Sequence, residues 1–131
     1  MRKNPSLIEF DQISLSEDQV NIDVFNLVDL CPFVPKRIYT IKTAENESQR
    51  GFHAHKNQSQ VISIIKGQAK VLLLNNEGEK FVFNLTAQAL FIPQNHWIEI
   101  TLHKDSILLC FAEKLYHELS TIKDKTRFLN K

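Results

Sequence analysis

The chain is poor in the residues that staple, bend or tether a protein. Its 131 residues include only two cysteines, three glycines, one methionine and one tryptophan. Cys31 and Cys110 are too far apart in sequence to read as a metal-binding pair, and a disulfide framework needs more cysteines. One bridge between them stays open, but free thiols in a reducing cytoplasm are the expectation. No apolar run is long enough to span a bilayer, and none follows Met1-Arg2-Lys3-Asn4-Pro5 to make a signal peptide, so a cytoplasmic location is expected. Sixteen basic against 15 acidic residues leave a net charge of +1. No field of one sign is available to draw in nucleic acid or an anionic membrane, so neither is expected as a partner. Lys123, Lys125 and Arg127, interleaved with Asp124 and Thr126, read as a solvated face. Repeats, low-complexity tracts and linkers are absent, and 43% hydrophobic residues suffice for one core. A single domain over residues 1–131 is expected.

What the chain does have is alternation. Apolar and polar residues exchange places over Val20 to Val28, Arg37 to Lys42, Gln60 to Lys66, Ala69 to Leu74, Lys80 to Leu85, Ala89 to Ile92, Trp97 to Leu102 and Ser106 to Ala112. About nine or ten short strands at this spacing indicate an all-β, antiparallel sandwich or small barrel. Thr43 to Gln49 reads as a polar loop. Gly67 reads as the tight turn of a hairpin joining Lys66 to Ala69, and Asn75-Asn76-Glu77-Gly78 as the next turn. Pro93 separates two strands. Beyond Lys114 the pattern weakens to a short terminal helix or turn.

Chemistry concentrates in Arg50-Gly51-Phe52-His53-Ala54-His55. On a strand, His53 and His55 share one face and Ala54 points the other way. Imidazole takes and gives protons near neutral pH and also ligates metals, so the pair is either a proton-transfer couple or the start of a metal site. A metal site would need further ligands from elsewhere in the chain, and a proton-transfer couple would not. His96, His103 and His117 have no partner at useful spacing and are expected on the surface, with His96, next to Trp97, the one candidate to touch the site.

The spacing from His53-x-His55 through Gln60 to Gly67 resembles the first motif of the cupins, which usually places Glu where this chain has Gln60. A narrower likeness is to the sugar 3,4-ketoisomerases that act on dTDP-linked 4-keto-6-deoxyhexoses. Arg50-Gly51-Phe52-His53-Ala54-His55 looks like their Arg-Gly-x-His-Ala-His signature. Lys36-Arg37-Ile38-Tyr39, Ile92-Pro93-x-x-x-Trp97-x-Glu99 and Tyr116-x-Glu118 agree in the same order. The chain departs from the family by having no Arg-Gly before residue 50 and Ile98 after the tryptophan. It departs again in the C-terminal block, Tyr116-His117-Glu118-Leu119-Ser120-Thr121-Ile122-Lys123.

The resemblance implies a cupin-type β-barrel or jelly roll with no cofactor and no metal. It also implies an isomerase that moves the ketone of a dTDP-sugar substrate from C4 to C3 through an enediolate, serving deoxy-amino-sugar synthesis for surface polysaccharides. By the same resemblance His53 is assigned as the carbon base and His55 as the group that moves protons between the oxygens, with their order open. Tyr39 would donate its hydroxyl to the enediolate oxygen. Arg37 and Arg50 would hold the diphosphate, which suits a bidentate guanidinium. Trp97 would stack on the base or sugar. Against these stand plainer readings: Tyr39 as a packed strand tyrosine, Trp97 as a core aromatic, and Arg50 as an ion-pair partner of Glu45 or Glu47. Related enzymes imply a homodimer that exchanges N-terminal strands, with Val24 to Val34 as the interface. Two other functions stay open: a cupin that binds a sugar nucleotide without turning it over, and a metal-dependent dioxygenase.

Overall fold

A computed structural model describes residues 4–9, 11–26 and 31–130. The strands among them are β1 (Ser6–Glu9), β2 (Asp11–Glu17), β3 (Val20–Asn26), β4 (Arg37–Lys42), β5 (Ser48–His55), β6 (Gln60–Lys66), β7 (Ala69–Leu74), β8 (Lys80–Leu85), β9 (Gln88–Ile92), β10 (His96–Leu102), β11 (Ile107–Ala112) and β12 (Thr121–Ile122). A single 3₁₀ turn over Tyr116–Glu118 precedes β12, and a short helix α1 covers Lys125–Leu129. One antiparallel sheet has the order β1-β9-β6-β11-β4 and the second β12-β5-β10-β7-β8. The all-β, cupin-like fold with a short terminal helix therefore stands, as a sandwich of two five-stranded sheets.

Alternation explains the layering. Ile62 and Ile64 of β6, Leu90 and Ile92 of β9, and Leu108 and Cys110 of β11 face Val71, Leu73, Ile98, Ile100 and Leu102 across the sandwich, in one buried cluster. Each large side chain removed from water there contributes about 1.5–3 kcal/mol. The residues between them are apolar too and need cover on the outside. Val61, Phe91 and Phe111 receive it from Cys31 and Phe33. Ala54, Leu74 and Trp97 receive it from Phe128 of α1. Asp124 caps that helix by accepting the Arg127 amide at 3.1 Å.

The described strands number twelve against the nine or ten expected, and β5 begins at Ser48, inside the expected loop Thr43 to Gln49. Gly67 does not close a hairpin, because β6 pairs with β9 and β11 while β7 pairs with β8 and β10. It is the corner where the chain leaves one sheet for the other. Its φ of +82° requires glycine, and a Cβ there would run into Ser106.

β2 and β3 pair only with each other among the described residues. The register Leu15↔Ile22 puts Ile13, Leu15, Val20 and Ile22 on one face of this hairpin. All four are 40–56% exposed. Of the Val24 to Val34 stretch assigned to a dimer interface, residues 27–30 lie outside the described residues.

Candidate active site

A cleft of about 660 Å³ opens between β4, at the margin of one sheet, and β5 with β12, at the margin of the other. That size suits a small-molecule ligand. Arg37 and Tyr39, two residues apart on β4, line one side, and His53 and His55 line the other. The C-terminal segment supplies the outer wall through Tyr116, Leu119, Thr121 and Lys123. Asn57 clamps this wall: its amide donates to the Glu118 carbonyl at 2.8 Å and its carbonyl accepts the Ser120 amide at 3.0 Å.

β5 is not a regular strand. Across β10, His53 faces Ile98 and Gly51 faces Glu99, so Phe52 is an extra, bulged residue. Gly51 has φ +94° and Phe52 φ +57°. C-terminal to the bulge alternation is intact, and the two imidazoles lie side by side with centroids 4.5 Å apart. The bulge also turns the Gly51 carbonyl toward His53, whose Nδ1 lies 3.0 Å from it. A carbonyl only accepts, so Nδ1 carries the proton and Nε2 keeps the basic lone pair. His55 Nδ1 lies 3.1 Å from the Thr121 hydroxyl, which can donate or accept.

The electrostatics keep both rings neutral. Burial lowers the pKa of His53, against its hydrogen bond to Gly51, and Lys123 lowers it further. Burial, then the neighbouring His53 and Arg37, push His55 down to about 4. Burial raises the Tyr39 pKa, so the phenol keeps its proton. That hydroxyl donates to Gln60 Oε1 at 3.0 Å. Arg37 donates weakly to Gln58 Oε1 at 3.4 Å, while its Nε is buried without a hydrogen-bond partner. The guanidinium lies 5.4 Å from the Tyr39 ring centre and 5.5 Å from that of Tyr116.

Of the residues singled out from sequence, the cleft gathers His53, His55, Tyr39 and Arg37. Trp97 is not there. It pairs with Ala54, on the face turned away from the histidines, and is 2% exposed under Phe128 with its indole N–H bonded to Glu99 at 2.9 Å. The core-aromatic reading is the correct one. Arg50 also lies outside the cleft, exposed on the far side of the bulge opposite Ile100. Among the described residues it makes no ion pair with Glu45 or Glu47.

His96 is not on the surface: it is 7% exposed, with Nδ1 donating to the Gln94 carbonyl at 2.9 Å and Nε2 unpartnered. His103 and His117 are exposed. Sequence reasoning missed Lys123, read as part of a solvated face, and gave Tyr116 and Thr121 no role. The signal for them is the block Tyr116 to Lys123, where the chain departs from the family pattern.

The donor set does not suit a transition metal. Among the described residues no group of three His, Cys, Asp or Glu side chains could hold one, and Gln60, where a carboxylate would be needed, is occupied by Tyr39.

The family model "FdtA: WxcM-like, C-terminal" matches residues 3–131. The TDP-4-oxo-6-deoxy-alpha-D-glucose-3,4-oxoisomerase of Aneurinibacillus thermoaerophilus is 30% identical over 99 residues, covering 74% of this chain and 71% of that protein. A 3,4-ketoisomerase from Helicobacter canadensis superposes with a TM-score of 0.78 at 28% identity, covering 98% of this chain and 97% of that one. QdtA, a sugar 3,4-ketoisomerase from Thermoanaerobacterium thermosaccharolyticum in complex with TDP, gives 0.79 at 26% identity, covering 99% and 95%. A histidine-to-asparagine variant of QdtA has been crystallised with TDP-4-keto-6-deoxyglucose. The chain belongs to the FdtA/WxcM-like family of sugar nucleotide 3,4-ketoisomerases.

Proposed function

We propose that this protein converts a TDP-linked 4-keto-6-deoxyhexose to the 3-keto isomer by histidine-mediated proton transfer. The observation that carries the mechanism is the His53 tautomer, fixed by the Gly51 carbonyl at 3.0 Å, which leaves Nε2 as an unprotonated base beside the cleft. Nε2 removes the C3 proton, made acidic by the C4 carbonyl. The electron pair forms the C3–C4 double bond and the C4 oxygen takes up the charge. His55, touching His53 and tied to Thr121, passes the C3 hydroxyl proton to the C4 oxygen. The proton returned to C4 completes the isomer, with no net change in redox state. Tyr39 donates to the enediolate oxygen. Arg37, and Lys123 across the cleft, are the cations for the diphosphate. They replace the Arg37–Arg50 pair expected from sequence.

The deciding experiment is incubation with TDP-4-keto-6-deoxyglucose in deuterated water, followed by NMR. Deuterium at C4 of a 3-keto product is expected. Tight binding with unchanged sugar would instead establish a non-catalytic binding protein. The 3-keto group is what a transaminase requires to install a 3-amino group, which fits supply of amino sugars to surface polysaccharides. Free Cys31 and Cys110 fit a reducing cytoplasm.

The proposal includes a homodimer. The exposed Ile13, Leu15, Val20 and Ile22 form an apolar face on a hairpin that nothing else in the described chain pairs with, and a second copy exchanging this hairpin would cover it. Light scattering should give twice the 15.2 kDa chain mass. A mass of one chain would remove the dimer.

A further inference from the structure

Gln60 contributes no atom to the cleft lining, yet it holds the hydrogen that the reaction needs. It opens β6, is 4% exposed, and accepts the Tyr39 hydroxyl on Oε1 at 3.0 Å. A phenol has one hydrogen to donate. In the free protein that hydrogen is directed at Gln60 and not into the cleft, so donation to an enediolate requires it to change acceptor.

We propose that Gln60 is a positioning residue: it holds the Tyr39 hydroxyl hydrogen between turnovers and, being neutral, gives it up to the oxyanion that develops on the substrate. This rests on the reading of Tyr39 as the enediolate donor. Hydrogen bonds to a charged acceptor are roughly twice as strong as those to a neutral one. An amide oxygen therefore keeps the hydroxyl aimed while the cleft is empty and loses the competition once the enediolate forms. A carboxylate at the same place would keep the hydrogen and would also set a negative charge beside the developing one.

The surroundings favour a neutral partner. Cys110, opposite Tyr39 in the register of β4 and β11 and within hydrogen-bonding reach of its hydroxyl, has its thiol pushed up to about 12 by burial, so beside Gln60 it is only a neutral, weak acceptor. The Arg37 guanidinium lies 5.4 Å from the Tyr39 ring centre. Gln58 does not compete for the hydroxyl, because its carbonyl already accepts from Arg37 and from the Lys114 amide at 3.3 Å.

The test is a set of variants assayed from pH 5 to 8. Gln60→Leu should lower kcat several-fold with KM unchanged, and should add no further loss in a Tyr39→Phe background. Gln60→Glu, nearly isosteric and so the safer variant for folding, should lose more than Gln60→Leu at pH 8. It should also regain activity as the pH falls and the new carboxyl is protonated, a limb that the wild type lacks. A residue with only a packing role would give losses that ignore pH and add fully to Tyr39→Phe. Either result, with Tyr39→Phe itself impaired, overturns the proposal alone. Wild-type activity in Tyr39→Phe overturns the Tyr39 assignment and the proposal together.

Discussion

Replacing His53 by Asn is expected to lower kcat by about 10²–10⁴-fold, the range for removing a positioned general base. KM should stay near the wild-type value, because asparagine keeps a polar side chain of similar reach and the proposed diphosphate cations, Arg37 and Lys123, are untouched. Solvent deuterium should no longer exchange into C3 of the starting sugar. His55→Asn should leave some C3 exchange but stall the isomer, since carbon deprotonation survives and the transfer between oxygens does not. Wild-type turnover in both variants would remove the site.

The same two rings predict the pH behaviour. Burial lowers the His53 pKa below its ordinary 6.5, so the base stays unprotonated into mildly acidic solution. The acidic limb of kcat/KM should lie below pH 6.5. His55, at about 4 when folded against 6.5 ordinarily, binds its proton more readily in the unfolded chain. Its neutral form therefore favours the fold above pH 6.5, and that contribution is lost as the pH falls through about 4. Thermal denaturation of His55→Asn across this window should show a flatter pH dependence than the wild type.

How much of this was legible in the sequence depends on the range of the interaction. Period-two alternation is local, and it placed His53 and His55 together and Arg37 beside Tyr39 without any knowledge of the fold. Gly67 shows the limit. A glycine with positive φ serves a hairpin and a corner between sheets equally well, and only the distant partners of β6 and β7 distinguish them. Trp97 was misassigned for a related reason. Its face is set by Ala54 across β10 and β5, and the alternation that turned His53 inward had already turned Ala54, and so Trp97, outward. The outer wall escaped notice because it is built from one turn and a two-residue strand, pieces too short to carry a period. What holds them is Asn57, a residue that no pattern singles out.

Gly51 makes the second large prediction, because it joins fold and chemistry at one atom. Its φ of +94° is one that side-chain-bearing residues rarely adopt, and a Cβ there would stand 2.7 Å from the Ile98 carbonyl oxygen. That neighbour is backbone in the middle of a paired strand and has no rotamer to escape into. Gly51→Ala should therefore cost about 1–3 kcal/mol for the strained dihedral, with more added if β10 must shift. Denaturant titration would read the loss as a lower midpoint at unchanged slope. Activity should fall further than stability in the protein that remains folded. The Gly51 carbonyl fixes the His53 tautomer, and a displacement of about 1 Å at a reacting group can cost about 10²-fold in rate. Ser48→Ala, on the same strand but clear of the bulge and the cleft, is the control and should change neither quantity appreciably. If Gly51→Ala loses stability but keeps wild-type kcat, the bulge serves the fold alone and the basic nitrogen of His53 is set by something other than that carbonyl.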